Sequence, residues 1–200
     1  MLPVSAVAGQ EKTLFDAVRA GDVAGVRALI GRRADVNARD SHGATPLIHA
    51  SADGLRDAVR ALLAAGANPN AKDRDGSTAL MAAAFNGYTV IAAMLLKRGA
   101  DVNARAGSGE TALVYAAVTG RDGVVSLLLR DKANPNIKNN EGETALMGAA
   151  AAGQAGVVKE LLRYGADVNL KDKSGNTALS FAKAKKHPEI AEALSRAGAK

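Results

Sequence analysis

The stretch GSTALMAAAFNG, Gly76 to Gly87, is one of five near copies: GATPLIHASADG begins at Gly43, GETALVYAAVTG at Gly109, GETALMGAAAAG at Gly142 and GNTALSFAKAKK at Gly175. Each copy starts 33 residues after the one before it. A fixed period of this length marks an array of stacked supersecondary units. The register extends beyond the quoted stretch. Thr45, Thr78, Thr111, Thr144 and Thr177 recur in phase, as do Leu47, Leu80, Leu113, Leu146 and Leu179. So do Leu62, Leu95, Leu128, Leu161 and Leu194, and Asn37, Asn70, Asn103, Asn136 and Asn169 close the units.

Each column has a physical reading. Gly43 and its equivalents supply the permissive backbone of a tight turn, and the Thr two residues later is placed to cap a helix. That helix runs through the alanines and is expected to stop near Gly54, Gly87, Gly120 or Gly153, where a left-handed capping residue belongs. A second helix carries apolar residues at helical spacing, such as Val90, Ile91, Met94 and Leu95. It is expected to end at Gly66, Gly99 or Gly165, after which the chain runs outward to the next turn. Two helices of this length cannot bury an apolar stripe alone, so each unit must stack on its neighbours. Ala50, Ala83, Ala116, Ala149 and Ala182 are small because a neighbouring helix has to come close. Leucine at one of them is expected to overpack the seam by roughly 1 to 3 kcal/mol.

With these residues in view, the chain resembles the ankyrin-repeat family, whose unit reads approximately D-x-x-G-x-T-P-L-H-x-A-A, then G, then L-L, then G-A-D-V-N. The match runs from about residue 11 to 199. The resemblance implies an all-α solenoid of helix-turn-helix units with protruding β-turn loops, six units including terminal caps. The expected units are about 11–39, 40–72, 73–105, 106–138, 139–171 and 172–200, forming a single domain over 11–200. The motif's Pro survives only as Pro46, and its His is replaced by Ile48, Met81, Val114, Met147 and Ser180. Arg33 and Lys132 stand where other units have Gly, so those helix ends either adopt a left-handed non-glycine residue or terminate differently. The first unit lacks the D-x-x-G-x-T turn and the last carries Lys183, Lys185, Lys186, Glu189, Glu192 and Arg196, as polar end caps require.

Composition narrows the function classes. Apolar residues make up 48% of the chain, much of it alanine, and aromatics only 3%, so the core must be built from small side chains. With no cysteine, a disulfide framework, a thiolate metal site and a cysteine nucleophile are excluded. No apolar run approaches the roughly 18 residues of a membrane span. Residues 1–10 read either as a disordered tail or as the remnant of a signal peptide cleaved after Ala6-Val7-Ala8. The chain as written is cytoplasmic on the first reading, and periplasmic or secreted on the second. Net charge is +6, with seven basic and three acidic residues from Lys171 to Lys200.

The residues offer little chemistry. His42, His49 and Asp53 could be imagined around a metal, but a surface histidine beside a carboxylate is the plainer reading. There is no G-x-S-x-G elbow, and AGSGE at Ala106 to Glu110 matches neither phosphate-binding glycine motif. We therefore expect no catalysis, no cofactor, no metal and no small-molecule substrate. The basic balance leaves an adaptor for RNA or an anionic surface as the alternative, but Phe85, Tyr115 and Phe181 are meagre stacking platforms for single strands.

In the resembled family, partner proteins are usually bound by the concave side, formed by the turn tips and first helices. That mapping makes His42, Arg74, Asp75 and Glu141 tip residues, with Ser41, Ala44 and others beside them. It places Phe85, Asn86, Tyr115 and Val118 on the first helices. Phe85 and Tyr115 are the candidate anchors, unless they merely pack on neighbouring turns. Arg39, Lys72, Arg105, Lys138 and Lys171 form a basic column at the bases of successive turns. Asp40, Asp73 and Asp172 follow three of them and could neutralise them locally. Arg105 and Lys138 lack an adjacent acid, so an acidic segment of a partner is expected there. The array is expected to act as a monomer.

Overall fold

The computed structural model describes residues 13–199. Among them, twelve α-helices fall into six consecutive pairs: α1 (Leu14–Arg19) and α2 (Val23–Gly31), α3 (Pro46–Ala52) and α4 (Arg56–Ala64), α5 (Ala79–Asn86) and α6 (Thr89–Lys97), α7 (Ala112–Val118) and α8 (Asp122–Arg130), α9 (Ala145–Ala151) and α10 (Ala155–Arg163), α11 (Ala178–Ala184) and α12 (Pro188–Arg196). The first helices of the pairs stack on one another in chain order, and the second helices form a parallel row behind them. No described helix is long and apolar enough to cross a membrane. The tail or signal remnant expected at residues 1–10 lies outside the described residues.

The threonine column starts the first helices. Thr45, Thr78, Thr111, Thr144 and Thr177 sit in extended backbone, and each hydroxyl accepts from the amide three residues on, at 3.3 to 3.4 Å. This satisfies one of the donors that a helix start leaves unpaired. The left-handed ends are also in place: Gly87 closes α5 at φ 82°. Arg33, Lys132 and Lys186 adopt the same left-handed backbone without being glycine, at φ 65°, 67° and 60°. Of the two alternatives for Arg33 and Lys132, the chain takes the strained one, at a cost of about 1 kcal/mol each.

The seam between units is built from the alanine and leucine columns. Ala50, Ala83, Ala116, Ala149 and Ala182 are fully buried, as are Leu62, Leu95, Leu128, Leu161 and Leu194. Among the described residues, one buried side-chain polar atom lacks a partner. The Ser51 hydroxyl is buried without a hydrogen-bond partner, where the next three units have Ala84, Ala117 and Ala150. An unpaired buried hydroxyl is unfavourable, and alanine is the better helix former. Ser51→Ala is expected to raise stability by about 1 kcal/mol in thermal unfolding; a lowered melting temperature would show that the hydroxyl has a partner.

Polar stitches repeat between units as well. The Asn37, Asn70, Asn103 and Asn136 side-chain oxygens accept from the amides of Asn68, Asp101, Asn134 and Asp167, each 31 residues ahead, at 2.7 to 2.8 Å. Behind the first helices, Arg121 Nε donates to the Phe85 carbonyl at 3.1 Å, and Gln154 Nε2 to that of Val118 at 3.5 Å. His187 Nε2 lies 3.3 Å from the Ala151 carbonyl. Tyr88 occupies the same register and packs its ring against Gly54.

Candidate functional site

The protruding turns are rigid because their acids look inward. Asp40 Oδ1 accepts from the amides of His42 and Ala44, Asp73 Oδ1 from those of Asp75 and Ser77, and Asp172 Oδ1 from those of Ser174 and Asn176. Asn139 does the same for Glu141 and Glu143. Successive tips are then laced together. The Arg74 amide donates to the His42 carbonyl at 2.9 Å, Gly107 to Asp75 at 2.7 Å, Asn140 to Ser108 at 2.9 Å and Lys173 to Glu141 at 2.9 Å. The side chains of His42, Arg74, Asp75 and Glu141 remain exposed. Ala44 does not belong with them: it is buried under the turn rather than displayed at the tip.

Four residues of the basic column, Arg39, Lys72, Arg105 and Lys138, donate to backbone carbonyls. Arg39 donates to the carbonyls of Gly43 and Lys72, Lys72 Nζ to that of Arg105 at 2.8 Å, and Lys138 Nζ to that of Lys171 at 3.0 Å. Arg105 Nε reaches the Gly109 carbonyl at 3.2 Å and its Nη2 lies 3.5 Å from Asn140 Oδ1. Of the acids that could neutralise the column locally, Asp40, Asp73 and Asp172 each give one oxygen, Oδ1, to two turn amides. The ammonium groups keep further donors and remain exposed.

The histidine pairing also differs from the sequence expectation. His49 turns to Asp40 across the turn, Nε2 to Oδ2 at 2.7 Å, and not to Asp53. Its ring meets Phe15 edge-on at 5.9 Å, and Arg19 Nη2 lies 3.9 Å from the same carboxylate. Among the described residues no group of acidic and histidine side chains is arranged to hold a metal. The His49 bond, with the two turn amides behind it, lowers the Asp40 pKa to about 2 against the opposing effect of burial. A depressed carboxylate contributes stability that is complete above its unfolded value and is lost as pH falls through its folded value. Asp40→Asn is thus expected to destabilise the array at pH 7, with the gap from the parent chain closing between about pH 4 and pH 2. A gap independent of pH in chemical denaturation would show that the pair contributes nothing through ionisation.

The middle units carry the apolar part of the face. Phe85 on α5 is 49% exposed and Val118 on α7 is 43% exposed. Tyr115 on α7 is half-buried, its ring edge-to-face with Phe85 at 6.3 Å. Its hydroxyl donates to Glu110 Oε2 at 3.2 Å, and burial, then the Glu110 carboxylate, raise its pKa above the ordinary value of 10. Asn86 is half-buried, and its Nδ2 donates to the carbonyls of Ala82 and Ala52 at 3.1 and 3.2 Å. Phe85, Asn86 and Tyr115 thus converge with the turn residues Asp73 and Ser77 on one pocket of about 220 Å³. The family resemblance had put Phe85, Asn86 and Tyr115 among the groove-facing positions of the first helices. It gave Asp73 no part in the face, because an acid in a turn has the same one-letter signal whether or not one of its oxygens is left open.

A family model for ankyrin repeats in three copies matches residues 14–106, 72–139 and 113–200. The chain belongs to the ankyrin-repeat family. Ankyrin repeats are generally protein-protein interaction modules and typically non-catalytic. A search of curated proteins gives no match to the chain. Within the ankyrin array, the turn tips and first helices that the family leads one to inspect are the elements that display Phe85, Val118 and the open pocket.

Proposed function

We propose that the array binds a partner protein in the groove between its turn tips and first helices, with Phe85, Tyr115 and Val118 at the centre. The observation that carries this reading is the exposure of Phe85 and Val118 on consecutive first helices, with the Tyr115 ring edge-to-face against Phe85. Large apolar side chains grouped at a surface mark a place where burial against another molecule is favourable. Aromatic residues are also the usual anchors of interfaces. Tyr88 and Val90 are exposed too, beside a broader cleft of about 690 Å³ that includes Val23 and Leu55. The Tyr88 ring, however, already braces Gly54 as its register partners brace other turns, so its position has a structural explanation.

His42, Arg74, Asp75 and Glu141 would contact the partner from the tips. Arg105 and Lys138 would draw an acidic segment of it through the donors left over from their carbonyl bonds, each pair worth at most about 1 kcal/mol and weakened by salt. The array would act as a monomer with no cofactor. The test is capture from native lysate by the full chain, compared with Phe85→Ala/Tyr115→Ala and with Arg130→Ala on the opposite row of helices. Loss of the same captured proteins in the double variant alone is expected. Equal capture by all three folded proteins would overturn the groove reading. Arg105→Glu/Lys138→Glu, measured at low salt with a captured partner, tests the acidic segment: unchanged binding would leave the basic column a purely structural device.

A further inference from the structure

Unit two fills a place that unit three leaves open. In unit two the His49 ring sits on Asp40 Oδ2 at 2.7 Å, beside Phe15. Thirty-three residues on, Asp73 takes the position of Asp40, and Ala82 that of His49. Where the imidazole would stand there is only a methyl group, and the pocket of about 220 Å³ opens between Asp73, Ser77, Ala82, Phe85, Asn86 and Tyr115. That is about seven times the volume of a water molecule in the liquid.

Two of the residues lining this pocket, Asp73 and Asn86, each carry an acceptor with no protein donor among the described residues. Asp73 Oδ1 holds two turn amides, but Oδ2 receives no protein hydrogen bond. Other turns close the equivalent group themselves: Asn176 Nδ2 donates to Asp172 Oδ2 at 3.0 Å, and Asn139 Nδ2 to Glu143 at 3.0 Å. Unit four has Ala106 there, and Ser77, at the register of Asn176, makes no side-chain bond to Asp73. The second acceptor is Asn86 Oδ1. Its Nδ2 faces two carbonyls, which fixes the orientation of the amide and leaves the oxygen without a donor. Phe85 and Tyr115 line it together with Ile48 and Met81, and aromatic ring faces attract cations.

Building on the groove reading above, we propose that this pocket receives one arginine side chain of the bound protein. Its guanidinium donates to Asp73 Oδ2 and Asn86 Oδ1, and its methylene stem lies along Phe85 and Tyr115. Arginine fits better than lysine because a planar fork of donors serves two separated acceptors at once and stacks on aromatic rings. The docked guanidinium would reproduce in unit three, from outside, the side-chain contact that His49 makes to Asp40 from within.

The probe is N-acetyl-arginine N-methylamide, titrated into the isotope-labelled full chain and followed by NMR. N-acetyl-citrulline N-methylamide serves as the neutral isostere. Shifts centred on Asp73, Ala82, Phe85 and Tyr115 are expected, with citrulline roughly tenfold weaker, as the loss of a charged hydrogen bond implies. Asp73→Asn should weaken the arginine probe by a similar factor and still fold, because Asn139 organises its own turn in the same way. Ala82→His should block the probe by installing the arrangement of unit two. Equal affinity for citrulline, or unchanged arginine binding in Ala82→His, would overturn the inference. So would the absence of shifts at the pocket. None of these results depends on a partner, so the groove reading stands or falls separately on Phe85→Ala/Tyr115→Ala.

Discussion

Leu128→Ala is expected to destabilise the array by about 3 kcal/mol, within the range for truncating a fully buried leucine. Leu128 is completely inaccessible on α8, and α8 touches α7 in its own unit as well as α6 and α10 in the neighbouring ones. The cavity therefore weakens one unit and the two interfaces that hold it. Stability in such an array is a sum of unit and nearest-neighbour contributions, so the same truncation at Leu194 should cost less. Leu194 is equally buried, but the main neighbours of α12 among the described helices are α10 and α11. Urea unfolding of both variants provides the measurement. A loss of less than about 1 kcal/mol at Leu128, or a larger loss at Leu194, would contradict this picture of the seam.

Gly76→Ala should be the second most damaging of the substitutions considered, at about 2 to 3 kcal/mol. Gly76 has φ 76°, and a Cβ there would stand 2.7 Å from the Gly107 amide nitrogen. That amide makes the 2.7 Å bond to the Asp75 carbonyl that laces the second and third protruding turns together. The variant thus incurs left-handed strain of about 1 to 2 kcal/mol and also strains a hydrogen bond worth about 1 kcal/mol. Gly99→Ala provides the control: it has φ 83° and nothing within 4 Å of the added carbon, so only the backbone strain applies. Arg33 and Lys132 show that the chain tolerates that strain. If the two glycine variants unfold at the same denaturant concentration, the turn-to-turn lacing contributes nothing to stability.

The sequence by itself determined the repeat and most of the skeleton. The 33-residue register placed the threonine caps, the alanine seam and the buried leucines, because caps and close packing depend on residue type at fixed local spacing. The resemblance to the family singled out Phe85 and Tyr115, and the stacking of units brings their rings edge-to-face. Tertiary structure decided everything that depends on where a polar atom points. Arg39, Lys72, Arg105 and Lys138 of the basic column reach backbone carbonyls, which are present in every residue and so leave no mark in the sequence. His49 chooses Asp40 over Asp53 because the turn folds back over α3, although Asp53 lies the closer in sequence. The pocket beside Asp73 was invisible for the plainest reason: its origin is Ala82, and a missing side chain becomes a cavity only when the groups around it are fixed in space and cannot collapse to fill it.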